Sequence, residues 1–212
     1  MPKTDGYYEF DLDLDEILSE RSALEEVLYV RDMVQRKFFL TTEIEQDSVT
    51  DIVRHIMQIN KEDSGIDPEK RKPILLYIAS VGGEVDAGFE LIDVIRASKT
   101  PVYTINLGYA YSMGFLIGLA GHKRFAFPNS KFLHHDGAIG LVNSGNKIRD
   151  QMEFQGLVES RIREYVISRT KVTEDEYDEH LRREWYLFAD EAKNYGMVDF
   201  IIGVDCDLAD II

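Results

Sequence analysis

A layered α/β fold with a parallel sheet is what this sequence predicts, on three observations. Two continuous apolar runs, PILLYIA (73–79) and PVYTINL (101–107), are bounded by turn residues, as strands buried on both faces of a parallel sheet are. Each leads into a helical stretch: Ala87, Phe89, Leu91, Ile92, Val94 and Ile95 recur after the first, and the segment around Ser112 follows the second. From residue 38 to 135 strand and helix alternate, and right-handed crossovers then bring the strands parallel.

The elements follow in order. An acidic arm, MPKTDGYYEFDLDLDE, leads into a helix from about Asp15, where Ile17, Leu18, Leu24, Val27 and Leu28 recur at helical spacing. Asp11 or Asp13 is placed to cap it. KFFLTT (37–42) is the first strand, and Asp47 or Ser48 opens a helix with Val49, Ile52, Val53, Ile56 and Met57 on one face. NKEDSGIDPEKRK (60–72) reads as a loop, and Gly82-Gly83 as the turn after PILLYIA. KRFAF and KFLHH are short strands around Pro128, and GAIGLVNSGN (137–146) is a loop. Residues 147–169 form a long amphipathic helix through Ile148, Met152, Leu157, Ile162 and Val166. That stripe is long for a lone surface helix and points to self-association. Thr173 with Glu176 makes a capping box for a helix over Glu174–Arg182. WYLF is a strand, and ADEAKNY a helix stopped by Gly196.

With 212 residues, the chain suits one domain with a sizeable core. A net charge of −15 excludes a phosphate-backbone footprint, so nucleic acid is not an expected partner. No apolar run approaches a membrane span, and the acidic N-terminus lacks an apolar signal core. Cys206 is the only cysteine and forms no intrachain disulfide, which fits a reducing compartment. The expected location is the cytoplasm.

Reactive groups in open α/β sheets gather at the carboxyl ends of the strands. That rule selects SVGGEV (80–85), YAYSMG (109–114) and HHD (134–136). A serine hydroxyl is a poor nucleophile until a base takes its proton, and histidine titrates in the right range. Developing oxyanion charge needs aimed N–H donors, which a glycine turn or a helix N-terminus supplies. Each piece alone is ordinary. A-Y-S-M-G is half of a nucleophile elbow, a glycine pair is usually a turn, and paired histidines are often core or surface residues. Their arrival after three successive strands raises the serine acyl-transfer reading.

The segments YIASVGGEVDAGFELIDVI, YSMGFLIGLAGHKRFAFPNSKFLHH and LFADEAKNYGMVD carry a resemblance. They are similar, in order and nearly in spacing, to the ClpP family of self-compartmentalising serine peptidases, over about residues 30–202. The family reads approximately YINSPGG-x-x-x-AG, ASMGAFLLAAGxxGKRxxLPNSRxMIHQP and x-SAxEAxxYGLID. SMG followed by KRF-x-x-PNS and by a histidine five residues past that serine is a specific signature.

The resemblance implies a ClpP/crotonase-type β-α-β spiral core with a protruding handle helix. It implies a peptidase domain over 31–203 with the handle at about 137–170; outside it the residues give an acidic N-terminal arm and helix over 1–30 and a tail over 204–212. Ser112 falls on the nucleophile, His135 rather than His134 on the general base, and Gly83 and Met113 on the oxyanion-hole amides. The third member is an aspartate in a D-R-F-x-S-A context. Here that context is E-W-Y-L-F-A, which places Glu184 there. Asp136 is a second candidate orienter, ranked lower because neighbours in a strand point to opposite faces. Val81 replaces a proline, Asp136-Gly137 replaces Gln-Pro, and the loop after Ser112 is two residues shorter.

The implied activity is a serine endopeptidase acting on unfolded polypeptides and peptides through an acyl-enzyme, with no metal or organic cofactor. The implied partners are copies of the chain in two stacked heptameric rings and a Clp-type AAA+ unfoldase that spends ATP. The long acidic arm, where the family has a short pore-gating segment, loosens the unfoldase expectation. The glutamate motivates a second reading, a catalytically weak or regulatory ring subunit. A third, crotonase-type chemistry on acyl-coenzyme A, shares the spiral and the oxyanion hole but has no use for a Ser112–His135 pair.

Overall fold

The computed structural model describes residues 14–138 and 140–211. The chain divides into two compact units, Met1–Arg36 and Lys37–Ile212. The described part of the first holds helix α1 (Leu14–Val34), uninterrupted because its sequence carries neither proline nor glycine. Asp11 and Asp13, the expected caps, lie outside the described residues.

The second unit is built on a sheet ordered β1-β2-β3-β4-β7 among the described residues, with β5 also pairing β3, and β6 pairing β5. The strands are β1 (Lys37–Leu40), β2 (Ile74–Ser80), β3 (Val102–Tyr111), β4 (Lys123–Ala126), β5 (Lys131–His134), β6 (Trp185–Phe188) and β7 (Phe200–Ile201). All pairings are parallel except β5–β6. The mixed α/β architecture with a mostly parallel sheet is the one the apolar runs and the alternation predict.

Helices α2 (Gln46–Glu62), α3 (Val85–Ala97) and α4 (Met113–Ala120) follow β1, β2 and β3. α2 buries Val49, Ile52, Val53, Ile56 and Ile59, and α3 buries Leu91, Ile92 and Ile95. Each such side chain contributes about 1.5–3 kcal/mol over exposure. On the opposite face, Leu75, Tyr77, Ile105, Phe125, Ile202 and Ile211 form a second cluster. The sheet is covered on both sides there, which is why its strands read as unbroken apolar runs.

Several boundaries move. Glu45, not Asp47 or Ser48, is the N-cap of α2; Ser48 serves it by accepting the Glu45 N–H at 2.9 Å. The polar stretch 60–72 contains the end of α2 and two short 3-10 turns, Asp63–Gly65 and Pro68–Lys70. The expected helix 174–182 is α6 (Glu174–His180), and its Thr173–Glu176 capping box forms as read.

The larger correction concerns β3, which runs past residue 107 to Tyr111. Gly108 does not end it, because the strand changes neighbour there. Residues 103–106 pair with β4 and residues 109–111 with β5. On its other edge the register with β2 jumps from Ile78↔Asn106 to Ser80↔Ala110. Asn106, buried, bridges the interruption. Its side-chain oxygen accepts from the Gly108 N–H at 2.9 Å and its amide donates to the Lys131 carbonyl at 3.0 Å.

Helix α5 (Gly145–Arg169) starts two residues before its expected position. Its C-terminal part is anchored on α4: the Tyr165 hydroxyl donates to the Leu116 carbonyl at 3.0 Å, and Arg169 to the Leu119 and Gly121 carbonyls. Of the expected stripe, Val166 is buried within this chain, and Met152 and Leu157 are exposed together with Phe154. A short helix α7 (Ala189–Asn194) precedes β7.

Candidate active site

Ser112 stands between the end of β3 and the first residue of α4 with φ 53° and ψ −121°. This is a left-handed conformation that costs a non-glycine residue about 1–3 kcal/mol. Its hydroxyl makes no capping bond to α4, so the ordinary structural use of a serine at a helix start is not what holds it there. The Ser112 N–H donates to the Leu133 carbonyl of β5 at 2.9 Å, and its carbonyl accepts from the Leu116 N–H at 3.2 Å. The corner is thus fixed to the strand that carries the two histidines.

The glycine pair packs on this corner from β2. Gly82, at φ 102°, lies so close that a Cβ would stand 2.7 Å from the Ser112 Cβ and 2.8 Å from the Tyr111 carbonyl. Gly83, at φ 151°, is clamped by Ile44: the Ile44 N–H donates to the Gly82 carbonyl at 2.8 Å, and the Glu84 N–H to the Ile44 carbonyl at 2.7 Å. These two bonds leave the Gly83 N–H out of the pair. Met113 opens α4, so its N–H has no intrahelical acceptor. Met113 thus carries a backbone donor without an intrahelical acceptor directly after Ser112, and Gly83 follows the glycine that packs on Ser112.

The two histidines part company. His134 is buried, its ring 5.5 Å from Phe115 and 5.2 Å from Tyr177, and its Nε2 has no partner. Burial pushes its pKa down to about 4, helped by His135 and opposed by Asp136. His135 lies just past the end of β5, half-buried, and lines a cavity of about 420 Å³. Val85, Ile162, Tyr177 and Arg182 line the same cavity. Arg163 also borders it, held by Asp178 at 2.8 and 3.0 Å and by Glu174 at 3.1 Å. Burial pushes the Tyr177 hydroxyl pKa up to about 12, so the cavity wall there stays neutral.

The β5–β6 ladder pairs Leu133 with Tyr186 and His134 with Trp185. The ladder ends at that pair, and His135 and Glu184 are the residues next beyond it on the two segments. Asp136 is one residue further on and exposed. Glu184 is itself exposed.

The sequence reading passed over Tyr186 and Tyr111. Their rings meet edge to face at 5.9 Å, and the alternation of exposed and buried residues in WYLF is the signal that would have put Tyr186 on the side of Glu184. Among the described residues no group of three or more His, Cys, Asp or Glu is placed to hold a metal ion. No described helix is long and apolar enough to cross a membrane.

The family model described as Clp protease matches residues 20–205. The ATP-dependent Clp protease proteolytic subunit 2 of Treponema pallidum (strain Nichols) is 33% identical over 186 residues, covering 87% of this chain and 90% of that protein. The chain belongs to the Clp protease family.

Proposed function

We propose that this Clp-type protease subunit is a serine endopeptidase with Ser112 as nucleophile, His135 as general base and Glu184 as its orienter. In this reading the Ser112 hydroxyl gives its proton to His135 and attacks the peptide carbonyl. The N–H groups of Gly83 and Met113 receive the oxyanion. His135 then protonates the leaving amine, and water, activated by the same imidazole, releases the acyl group. Unfolded polypeptides and short peptides are the proposed substrates.

The observation that carries the reading is the joint constraint on β5. Its Leu133 carbonyl ties down the Ser112 corner, and its pairing with β6 ends at His134–Trp185, next to residues 135 and 184, which supports pairing that base with that carboxylate. A strained serine that does not cap its helix has a use in this setting that it lacks elsewhere.

The proposed working state is a ring assembly of copies of the chain, two heptamers stacked. The exposed Met152, Phe154 and Leu157 on α5 support burial against another copy. The printed name of the Treponema relative, ATP-dependent, supports an unfoldase partner. The proposed location is the cytoplasm. The rival reading, a weak or regulatory ring subunit, draws on the glutamate at position 184, where the resembled family carries an aspartate.

A fluorophosphonate probe separates the two. The proposed site is labelled at Ser112, and Ser112→Ala abolishes both labelling and peptide hydrolysis without changing the assembly. Hydrolysis retained by Ser112→Ala would refute the mechanism, and an unlabelled chain would favour the structural subunit.

A further inference from the structure

We propose that the cavity beside His135 selects a basic side chain, lysine or arginine, on the residue that supplies the scissile carbonyl, with Glu159 as its charge partner and the Tyr177 hydroxyl as a hydrogen-bond acceptor. The proposal rests on the Ser112–His135–Glu184 reading above and names the substrate class of that site. Both sides of the proposed reaction centre open on this cavity. His135 lines it, and so does Val85, two residues past Gly83. The side chain in question begins on the atom bonded to the attacked carbon, so a cavity bounded by the base and by a neighbour of the oxyanion donor lies within its reach. The volume of about 420 Å³ has room for a long side chain.

The walls suit an apolar stem with a polar head. Val85, Ile162 and Leu181 offer apolar surface to methylenes. Tyr177 is only 2% exposed, yet it lines the cavity, and its hydroxyl makes no hydrogen bond to a described residue. Burial, with Asp178 and Glu159 adding to it and Arg163 opposing, raises its pKa to about 12, so the phenol stays neutral. A buried hydroxyl without a partner is costly to leave open, and its oxygen is free to accept an N–H from a ligand.

The charges choose the head group. Glu159 and Arg163 stand four apart on α5, the spacing at which such residues pair along a helix. Arg163 instead turns to α6, where Asp178 and Glu174 hold it and its guanidinium lies 5.8 Å over the Tyr177 ring. Glu159 is left lining the cavity with no hydrogen bond or ion pair to a described residue. Asp136 lines it in the same unpaired state, and Arg182 is the one free charge of opposite sign. Four carboxylates thus stand against two guanidinium groups around the cavity, on a chain whose net charge is −15. Such a field favours a cation over an anion.

The test uses the full-length assembled chain, a fluorophosphonate probe and three short peptides that carry lysine, leucine or glutamate before the same fluorogenic amine. The expected kcat/KM for the lysine peptide is about tenfold above that for leucine and about 10²-fold above that for glutamate. The preference should shrink as salt is raised, because Glu159 and Asp136 are exposed. Glu159→Gln is expected to lower the lysine-to-leucine ratio about tenfold, and Tyr177→Phe, which keeps the ring, about threefold. General damage to the assembly lowers all three peptides together and leaves the ratios where they were. Labelling at Ser112 with lysine cleaved no better than leucine, or with the ratio unmoved by Glu159→Gln, overturns the preference alone. A glutamate peptide cleaved best would give the cavity to Arg182 and overturn it as well. Absence of wild-type labelling at Ser112 overturns both the preference and the reading beneath it.

Discussion

Gly82 and Ser112 are packed so that no side chain fits between them: a Cβ on Gly82 would stand 2.7 Å from that of Ser112. The φ of 102° at Gly82 adds a second objection to any other residue. Gly82→Ala is expected to cost about 1–3 kcal/mol of stability and to push the Ser112 corner out of place. The rate of fluorophosphonate labelling should fall by about 10²-fold, an effect of the size a 1 Å misplacement produces. An unchanged labelling rate with a lowered melting temperature would show that the corner tolerates the shift.

Glu184→Ala is expected to lower turnover by about 10²–10⁴-fold, as losing a triad orienter does, while labelling at Ser112 persists at a reduced rate. Asp136→Ala should leave turnover within about threefold, since the proposed site gives the orienting role to Glu184. The reverse ranking of the two variants in a steady-state assay would move the third role to Asp136.

His134 makes stability sensitive to acid. Its pKa is lowered from 6.5 to about 4 chiefly by burial, so the unfolded chain binds a proton at a pH where the folded chain does not. Its contribution is constant above the unfolded pKa, falls by about 1.4 kcal/mol per pH unit below it, and levels off below the folded pKa. Between pH 7 and 5 the loss is on the order of 2 kcal/mol. His134→Leu should flatten this part of the profile, measured as urea midpoints of wild type and variant at the two pH values. Parallel profiles would mean that another group sets the acid sensitivity.

Asn106 is expected to matter for stability and activity together. Asn106→Ala leaves the Gly108 N–H and the Lys131 carbonyl without their partner, at a cost of about 2–3 kcal/mol for two part-buried groups. Because those groups hold β5 to β3, peptide hydrolysis should fall as well, although Asn106 touches none of the proposed reacting atoms. A thermal melt and a peptide assay on the same preparation decide it. Lowered stability with full activity would show that β5 keeps its place without this bridge.

The sheet was legible because its central strands are buried on two faces, which leaves Ile74–Ser80 and Val102–Leu107 as apolar runs with no alternation. The far end of β3 was not, because Gly108-Tyr109-Ala110-Tyr111 reads as a glycine break followed by mixed residues. Only the pairing with β5, a long-range event, makes it strand. The Ser112 corner could be placed from its position after a strand, but its positive φ depends on Gly82 behind it and the Leu133 carbonyl beside it. The separation of His134 from His135 shows the same limit. Two adjacent identical residues have no local signal that tells core from cavity, and the packing of Phe115 and Tyr177 on one of them decides it. On α5 the periodicity marked an apolar face whose Met152 and Leu157 stay exposed in this chain, since periodicity does not say what covers a face.

The interruption in β3 gives the sheet a fork. One edge of the strand takes two neighbours in turn, β4 along residues 103–106 and β5 along residues 109–111, while β2 runs past the break on the other edge and pairs Ser80 with Ala110. A single strand thus joins the β4–β7 branch to the β5–β6 branch, and Ser112 follows directly at its end.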